Sequence, residues 1–289
     1  MTKSNELPIT ILIAALNEEL NIEKCVNSVS NFASRTVVVD SGSTDRTSEI
    51  AIKNGAEVVQ FNYQGGYPKK RQWAIDKLDI QTEWVMLLDA DEVVTDKLKS
   101  EIEEAIGSSD NNAYLIIKGF HFMGRRMRYG GFSHSAVLLF RQGTARFEHL
   151  IDESSTAMDM EVHERLIVDG NVGRLNTPLI HDDYKGLEAY IDRHNKYSTW
   201  EAKVRQKYMS GDGSGSAVKA SLFGDVQQRR RFLKLLAMKI PGEQWLWFFY
   251  HYIFRLGILE GRRGLIASRI RMQYIANVRA KIFELKQNR

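Results

Sequence analysis

The stretch Val85-Met86-Leu87-Leu88-Asp89-Ala90-Asp91-Glu92 decides the fold class, because four apolar residues run directly into three acids. Such a run predicts a buried strand that ends in negative charge. Asp89 and Asp91 are two residues apart, so in an extended segment their side chains point to the same side. Two carboxylates on one side suit Mg²⁺ or Mn²⁺, which takes its other ligands from waters and phosphates. The alternative is a solvated turn between a strand and a helix, and a lone Asp-x-Asp pattern favours that alternative.

Apolar runs alternate with amphipathic segments on both sides of this strand. The sequence predicts strands over Thr10–Ala15, Thr36–Val39, Glu57–Phe61 and Trp84–Leu88, and helices over Glu18–Val29, Thr44–Lys53, Lys69–Leu78 and Asp96–Ile106. Strands and helices that alternate at this spacing indicate βαβ units, and therefore an α/β fold with a mainly parallel sheet. Ligands of such sheets bind beyond the carboxyl ends of the strands. The residues that follow each strand are therefore the candidates for a site.

Polar residues follow three of these strands. Asn17 and Glu18 follow the first, Asp40-Ser41-Gly42-Ser43-Thr44-Asp45 follows the second, and Asp89 to Glu92 follows the fourth. We expect all three groups to face one crevice, because they lie at the same ends of parallel strands. Asp40 either accepts hydrogen bonds from a base or ribose, or begins a turn whose serine, threonine and aspartate cap the next helix.

The composition is that of a globular protein, with 43% hydrophobic and 26% charged residues in a chain of 289. The single cysteine, Cys25, excludes an internal disulfide and suits a reducing compartment. The first residues, MTKSNELP, lack the basic and apolar regions of a signal peptide, so no cleaved leader is expected. No apolar run reaches the ~18 residues expected of a spanning helix.

The net charge of +4 is unevenly distributed, because residues 217–289 contain 15 Lys and Arg against 4 Asp and Glu. The first 216 residues therefore carry −7. Basic and apolar residues alternate at helical spacing in this tail, and Trp245–Tyr250 is dense in aromatic residues. A basic amphipathic helical region with aromatics predicts association with an anionic membrane surface. Packing on the body ranks second and nucleic-acid binding third, and no nucleic-acid partner is expected.

The three polar groups together carry a family resemblance. In order and spacing, Ala14–Glu18, Val38–Thr47 and Leu88–Glu92 resemble the family 2 glycosyltransferases. The N-terminal half of that family is a GT-A nucleotide-binding fold, a Rossmann-like α/β unit. The resemblance implies that Asp40 binds the uracil or ribose of a nucleotide sugar, and that Asp89 and Asp91 hold the donor and its divalent metal, Mg²⁺ or Mn²⁺. The donor positions then also include Ala15, Asn17, Glu18 and Ala90.

The segment Lys69-Lys70-Arg71-Gln72-Trp73-Ala74 aligns with one that reads Gln-Arg-Asn-x-Ala in many relatives. Arg71 matches the arginine, whereas Lys70 replaces the glutamine and Gln72 replaces the asparagine. Lysine and arginine near the crevice offset the charge of a diphosphate. The alternative for the start of this segment is a solvated basic helix terminus.

Motifs in the second half resemble those of lipopolysaccharide-core glucosyltransferases and related polysaccharide-cluster enzymes. They are Glu161-Val162-His163-Glu164 and His181-Asp182-Asp183-Tyr184. The resemblance implies that Glu164 is the catalytic base, with Asp152 as the second candidate, and that His181 lies near the metal and diphosphate. Gly130 and Gly131 match a glycine loop beside the donor sugar. The alternatives are a surface ion pair for Glu164 and a strand cap for His181.

The predicted organisation is a nucleotide-sugar-binding half over residues 1–110, an acceptor half over 111–208, a linker over 209–216 and a helical tail over 217–289. The predicted activity is inverting, metal-dependent transfer of a hexose from a UDP-sugar to a lipid-linked glycan, at the inner face of a bacterial membrane. A sugar nucleotidyltransferase is one alternative, although it should show a glycine-rich basic loop where this chain has Leu16-Asn17-Glu18-Glu19. An inactive nucleotide-sugar-binding membrane scaffold is the other.

Overall fold

The computed structural model describes residues 6–108, 110–149, 159, 165–183, 185–209, 223, 236 and 240–287. The chain divides into two compact units. The first comprises Met1–Arg126, Ser133–Glu148 and Asp152–Lys185, and the second comprises Met127–Phe132, His149–Ile151 and Gly186–Arg289. The predicted linker, apart from Met209, lies outside the described residues.

The first unit begins as the alternating pattern predicts. Its first four strands are β1 (Leu7–Ala15), β2 (Ala33–Asp40), β3 (Glu57–Gln60) and β4 (Trp84–Asp89). Its helices are α1 (Ile22–Val29), α2 (Thr47–Lys53), α3 (Lys70–Lys77) and α4 (Asp96–Ser108). The strands pair in parallel in the order β3-β2-β1-β4. The predicted α/β fold with a mainly parallel sheet is therefore confirmed.

The hydrophobic core accounts for these strands. Residues Ile9–Ala15 of β1 are all buried, as are Trp84–Leu88 of β4. Continuous apolar strands are expected where helices cover both faces of a sheet. In α1 the buried residues are Ile22, Cys25, Val26 and Val29. Their spacing of three and four residues gives the helix one apolar face against the sheet.

The rest of the sheet is built from the short strand β5, which precedes α4, and from strands that follow α4. They are β5 (Glu92–Val93), β6 (Ala113–Phe122), β7 (Arg125–Arg126), β8 (His134–Arg141), β11 (Val172–Arg174) and β12 (Leu179–His181). The order continues β4-β8-β6-β12-β5, and β9 (Ala145–Phe147) pairs separately with β10 (Leu166–Val168). In β5, Glu92 is fully buried and pairs with His181 of β12. The solvated turn considered for Asp91 and Glu92 is therefore wrong, since Glu92 lies in a buried strand.

From Gly186 onward the described residues of the second unit are mainly helical, which confirms the helical C-terminal region. It contains α5 (Gly186–Met209), α6 (Glu243–Phe249), a π-helical turn (Tyr250–Phe254), a 3-10 turn (Gly257–Glu260) and α7 (Gly261–Gln287). A small core joins α5 to α7 through Ala202, Tyr274, Ile275 and Val278. Among the described helices, none combines the length and apolarity needed to cross a membrane.

A buried ionic network ties three helices of this unit together. The Arg205 guanidinium donates from Nε to Glu201 Oε1 at 2.8 Å and from Nη1 to Glu243 Oε1 at 2.9 Å. The Tyr274 hydroxyl donates to Glu201 Oε2 at 2.5 Å. Arg205, Glu201 and Glu243 are each buried. Arg205 thus compensates two buried carboxylates, and Arg279 adds a second cation 3.4 Å from Glu243 Oε2.

We predict that Arg205→Met lowers the unfolding free energy by about 3–5 kcal/mol, because two buried carboxylates lose the cation that they share, although Glu243 keeps a 3.4 Å contact with Arg279. Denaturant unfolding followed by circular dichroism measures the loss. Lys196→Met is the matched control, since Lys196 is exposed on the same helix. Equal midpoints for the two variants would show that the network contributes nothing to stability.

Candidate active site

The carboxyl ends of β1, β2 and β4 meet at one edge of the sheet. Strand register places Asp40 beside Ala15, and Asp89 beside Ala14. The segments that follow these strands are joined as well, because the Asn17 side chain accepts a 2.8 Å bond from the Thr44 N–H. The three polar groups predicted to share a crevice thus lie on neighbouring strands.

Asp89 is held by two cations. Lys118 Nζ lies 2.7 Å from Asp89 Oδ2, and Arg71 Nη2 donates to Asp89 Oδ1. The backbone N–H of Asp89 donates to Glu92 Oε2 at 2.9 Å. Burial alone would raise the pKa of Asp89, but Arg71 and Lys118 together hold this pKa well below its usual range. Asp89 is therefore a carboxylate, and both of its oxygens are engaged.

Lys118 is a site residue that the sequence analysis missed. Its side chain is 8% exposed, and Nζ lies 2.7 Å from both Asp89 Oδ2 and Glu92 Oε1. Burial alone would lower the pKa of Lys118, yet the two carboxylates raise it. A signal was present, because Lys118 has the same parity in β6 as the buried residues Tyr114 and Ile116. A lysine on the inward face of a strand predicts a buried anionic partner.

Asp91 and His181 form a second pair. The pairing of β5 with β12 brings His181 Nε2 to 3.2 Å from Asp91 Oδ2. Burial alone would lower the pKa of His181, but Asp91 raises this pKa to about 9. Phe120 packs edge-on against the imidazole, with ring centroids 6.2 Å apart.

This pair fits two ligands of one divalent cation. With metal–ligand bonds of about 2.1 Å, neighbouring ligands of an octahedron lie about 3.0 Å apart, which is close to the Asp91–His181 separation. Within the part of the chain that the structure describes, no group of three or more His, Cys, Asp or Glu is arranged to hold a metal. Asp89 is already paired with two cations, Arg71 and Lys118, and its predicted role toward the donor and metal stays a prediction. Further ligands for this ion would then come from phosphates and waters, as Mg²⁺ usually has them.

Asp40 organises the turn after β2. Its carboxylate accepts bonds from the Ser43 N–H at 3.1 Å, the Ser43 hydroxyl at 2.5 Å, the Ser48 hydroxyl at 2.9 Å and the Gln60 amide at 3.1 Å. Asp40 is 1% exposed. These contacts are those of the turn considered in the sequence analysis. The contact of Asp40 with a base or ribose stays a prediction.

Lys70 and Arg71 begin α3 with their cations turned inward. Lys70 Nζ donates to the Ala15 carbonyl at 2.7 Å and lies 2.9 Å from Asp159 Oδ2. Although burial alone would raise the pKa of Asp159, Lys70 lowers it. Lys69 is 5% exposed. The alternative of a solvated basic helix terminus is therefore wrong, because both lysines are buried.

Glu18 links the end of β1 to the segment after β12. Its carboxylate lies 2.5 Å from Lys185 Nζ and accepts a 2.7 Å bond from the Asn21 amide. The same amide donates to Asp183 at 3.1 Å. Burial raises the pKa of Glu18 despite the partner Lys185. The donor-binding roles predicted for Ala15, Asn17, Glu18 and Ala90 stay predictions.

Other predicted site residues are placed elsewhere or are not described. Gly130 and Gly131 belong to the second unit. There the Gly130 N–H donates to the Arg255 carbonyl at 2.7 Å. Their role beside a donor sugar stays a prediction. The candidate bases, Glu164 and Asp152, lie outside the described residues.

Comparisons with known proteins agree with the geometry of the first unit. The family model "Glycosyl transferase family 2" matches residues 10–158, which is just over half of the chain. The chain is 27% identical to the lipopolysaccharide core biosynthesis glycosyltransferase LpsC of Rhizobium meliloti (strain 1021), over 96% of this chain and 93% of that protein. It is 30% identical to an uncharacterized glycosyltransferase of Rickettsia bellii (strain RML369-C), over 68% of this chain and 66% of that protein.

Among solved structures, the chain is similar to glucosyl-3-phosphoglycerate synthase from Mycobacterium tuberculosis, crystallised with Mn²⁺, UDP and glucosyl-3-phosphoglycerate. The identity is 25% and the TM-score 0.31, and the match covers 43% of this chain and 47% of that chain. The chain thus spans less than half of that structure, and the family assignment rests on the sequence match. By that match, the chain is a transferase that belongs to glycosyl transferase family 2.

Proposed function

We propose that this protein is an inverting, metal-dependent glycosyltransferase that moves a hexose from a UDP-sugar to a glycan of the lipopolysaccharide-core or lipid-linked type. The observation that carries the proposal is the charged cluster at the end of β4. There three acids, Asp89, Asp91 and Glu92, meet Lys118 and His181 at the sheet edge where α/β proteins bind ligands.

The proposed acceptor is supported by the name of a relative that matches this chain nearly end to end. LpsC of Rhizobium meliloti is named for lipopolysaccharide core biosynthesis. The tail supplies a second, independent reason, because residues 217–289 carry a net charge of +11. Each Lys or Arg near an anionic leaflet contributes ~1 kcal/mol to attachment. We therefore place the enzyme as a peripheral protein on the inner face of the membrane that contains its acceptor.

Different residues of the cluster bind the donor, bind the cation and balance the charge. Lys118 and Arg71 keep Asp89 ionised and fixed, so that it accepts hydrogen bonds from the donor in one orientation. Asp91 and His181 would hold the divalent cation, together with oxygens of the diphosphate. When bound, this cation neutralises the charge that develops on the leaving diphosphate.

Transfer also requires removal of a proton from the acceptor hydroxyl. We assign this step to Glu164, with Asp152 as the second candidate, on the resemblance of Glu161–Glu164 to the family motif. Attack by the hydroxyl oxygen on the anomeric carbon breaks the bond to the diphosphate, and the proton passes to the carboxylate. A single displacement inverts the anomeric centre, so one base suffices.

We predict that Asp91→Asn weakens Mn²⁺-dependent binding of UDP by roughly tenfold or more, because the amide is a poorer ligand than the carboxylate. Titration calorimetry with UDP, in the presence and absence of Mn²⁺, measures the effect. Asp96→Asn is the matched control, since its side chain is 98% exposed. If Asp91→Asn and Asp96→Asn bind UDP and Mn²⁺ equally well, Asp91 is not a metal ligand.

We predict that Lys118→Met lowers the unfolding free energy by about 3–5 kcal/mol, because Glu92 and Asp89 lose their shared buried cation. Adding Glu92→Gln to this variant should restore part of the loss, since it removes one of the two charges that Lys118 compensates. Chemical unfolding of the single and double variants measures the coupling between the two sites. Lys53→Met, at an exposed position, is the control. Additive losses would show that Lys118 and Glu92 are not coupled.

We predict that Glu164→Gln leaves UDP binding intact and lowers turnover by roughly 10²–10⁴, the usual contribution of a positioned general base. The substitution keeps the shape of the side chain and removes its basicity. Turnover is measured as release of UDP in the presence of acceptor, for Glu164→Gln and for Asp152→Asn side by side. A loss confined to Asp152→Asn would move the role of base to Asp152.

A further inference from the structure

An exposed apolar surface runs along one side of the segment from α6 to the 3-10 turn. We call it the aromatic ridge, and it consists of Trp245, Leu246, Phe249, Tyr250, Ile253, Phe254, Leu256, Ile258 and Leu259, each exposed. Phe254 alone is 77% exposed. Exposed apolar side chains that occur singly are ordinary, whereas a contiguous group marks a surface that binds something.

The spacing along the helix explains why these residues share a side. Trp245, Phe249 and Ile253 are four residues apart, so they are neighbours on one helix face. Glu243 and His251 occupy the opposite face and are buried. On that inward face the Trp247 indole donates to Glu243 Oε1 at 3.2 Å and stacks on His251 at 5.7 Å. The part of the ridge in α6 and the π-helical turn is thus the outer face of a helix whose inner face is packed.

The backbone beneath the ridge is fixed to the glycine loop, Met127–Phe132. The Glu260 carboxylate accepts bonds from the Arg128 N–H at 2.6 Å and the Tyr129 N–H at 2.8 Å. His251 Nδ1 donates to the Gly130 carbonyl at 2.6 Å. A Cβ on Gly257 would lie 3.4 Å from the Gly130 Cα, so the two backbones are in close contact. The apolar side chains therefore project from an ordered base and are not exposed by fraying.

The charges near the aromatic ridge indicate which kind of partner it binds. Over residues 240–263, which the structure describes completely, both acids, Glu243 and Glu260, are buried. The cations Arg255 and Arg262 are exposed. Within this segment, the exposed apolar side chains are thus accompanied by exposed arginines and by no exposed acid. Trp and Tyr favour the headgroup level of a bilayer, and anionic lipids attract arginine.

We infer that the aromatic ridge is a bilayer-docking surface, which inserts its apolar side chains into the headgroup region of a membrane that contains anionic lipid. The inference deepens the peripheral location proposed above, on which it rests, by naming the surface that touches lipid. Burial of the apolar side chains provides a hydrophobic contribution that salt does not screen, and the bordering arginines provide a contribution that salt weakens. The two contributions can therefore be separated by experiment.

Vesicle co-sedimentation of the full chain tests the ridge directly. The vesicles are of phosphatidylcholine alone or of phosphatidylcholine with phosphatidylglycerol, and neither donor nor acceptor is added. We expect the unmodified chain to bind the anionic vesicles, and to keep part of this binding at high salt. Phe254→Ser is expected to weaken the binding about tenfold, and Trp245→Ser with Phe254→Ser to remove the salt-resistant part. Phe283→Ser, at a position 65% exposed on α7, is the matched control and should bind normally.

The remaining outcomes overturn the inference. If Phe254→Ser and Phe283→Ser bind equally, attachment uses another surface, and the peripheral location stands without the ridge. If the unmodified chain ignores both kinds of vesicle, the ridge and the peripheral location fail together, while UDP binding by calorimetry still tests the proposed donor. If the lipid-free chain sediments as a dimer that Phe254→Ser dissociates, the ridge is covered by a second copy.

Discussion

A lysine buried between two carboxylates is the contact on which the rest of this site depends. Three acids within four residues repel one another strongly once they leave water, and such a cluster stays folded only with cations among them. Lys118 reaches from β6 to Asp89 and Glu92, and so joins the end of β4 to β5. Because β5 pairs with β12, the same contact also fixes the strand that carries His181.

The cluster is close to balanced in charge. Asp89, Asp91 and Glu92 face Lys118 and Arg71, and His181 adds a third positive charge when it is protonated. A diphosphate brought to this balanced group adds negative charge that these residues do not offset. This excess of negative charge supports the proposal that the donor binds together with a divalent cation. The balance of charge within the cluster also explains why the acids can be buried before any ligand binds.

Much of the fold follows from local pattern, and much of the site does not. Runs such as Ile9–Ala15 and Trp84–Leu88 specify buried strands by themselves. The acids that follow β4 then lie at the carboxyl end of a parallel strand, where ligands of such sheets bind. The strand β5 has two residues, so only its pairing with β12 defines it, and periodicity gives no sign of it. The ion pair of Lys70 could not be predicted from local pattern, because its partner, Asp159, is distant in sequence. Lys118 is the exception. Its alternation with the buried residues Tyr114 and Ile116 already predicts, from sequence alone, that it faces inward in β6.

The fastening of the glycine loop to the ridge segment has a thermodynamic consequence. Glu260 and His251 hold the loop by side-chain bonds to its backbone, so loop and ridge share one conformational equilibrium. A surface that immobilises the ridge would therefore also restrict the motion that remains in the loop. Such coupling is reciprocal, so a molecule bound against the loop would strengthen attachment of the ridge by the same factor. Attachment of the ridge and binding against the loop would then share one coupling free energy.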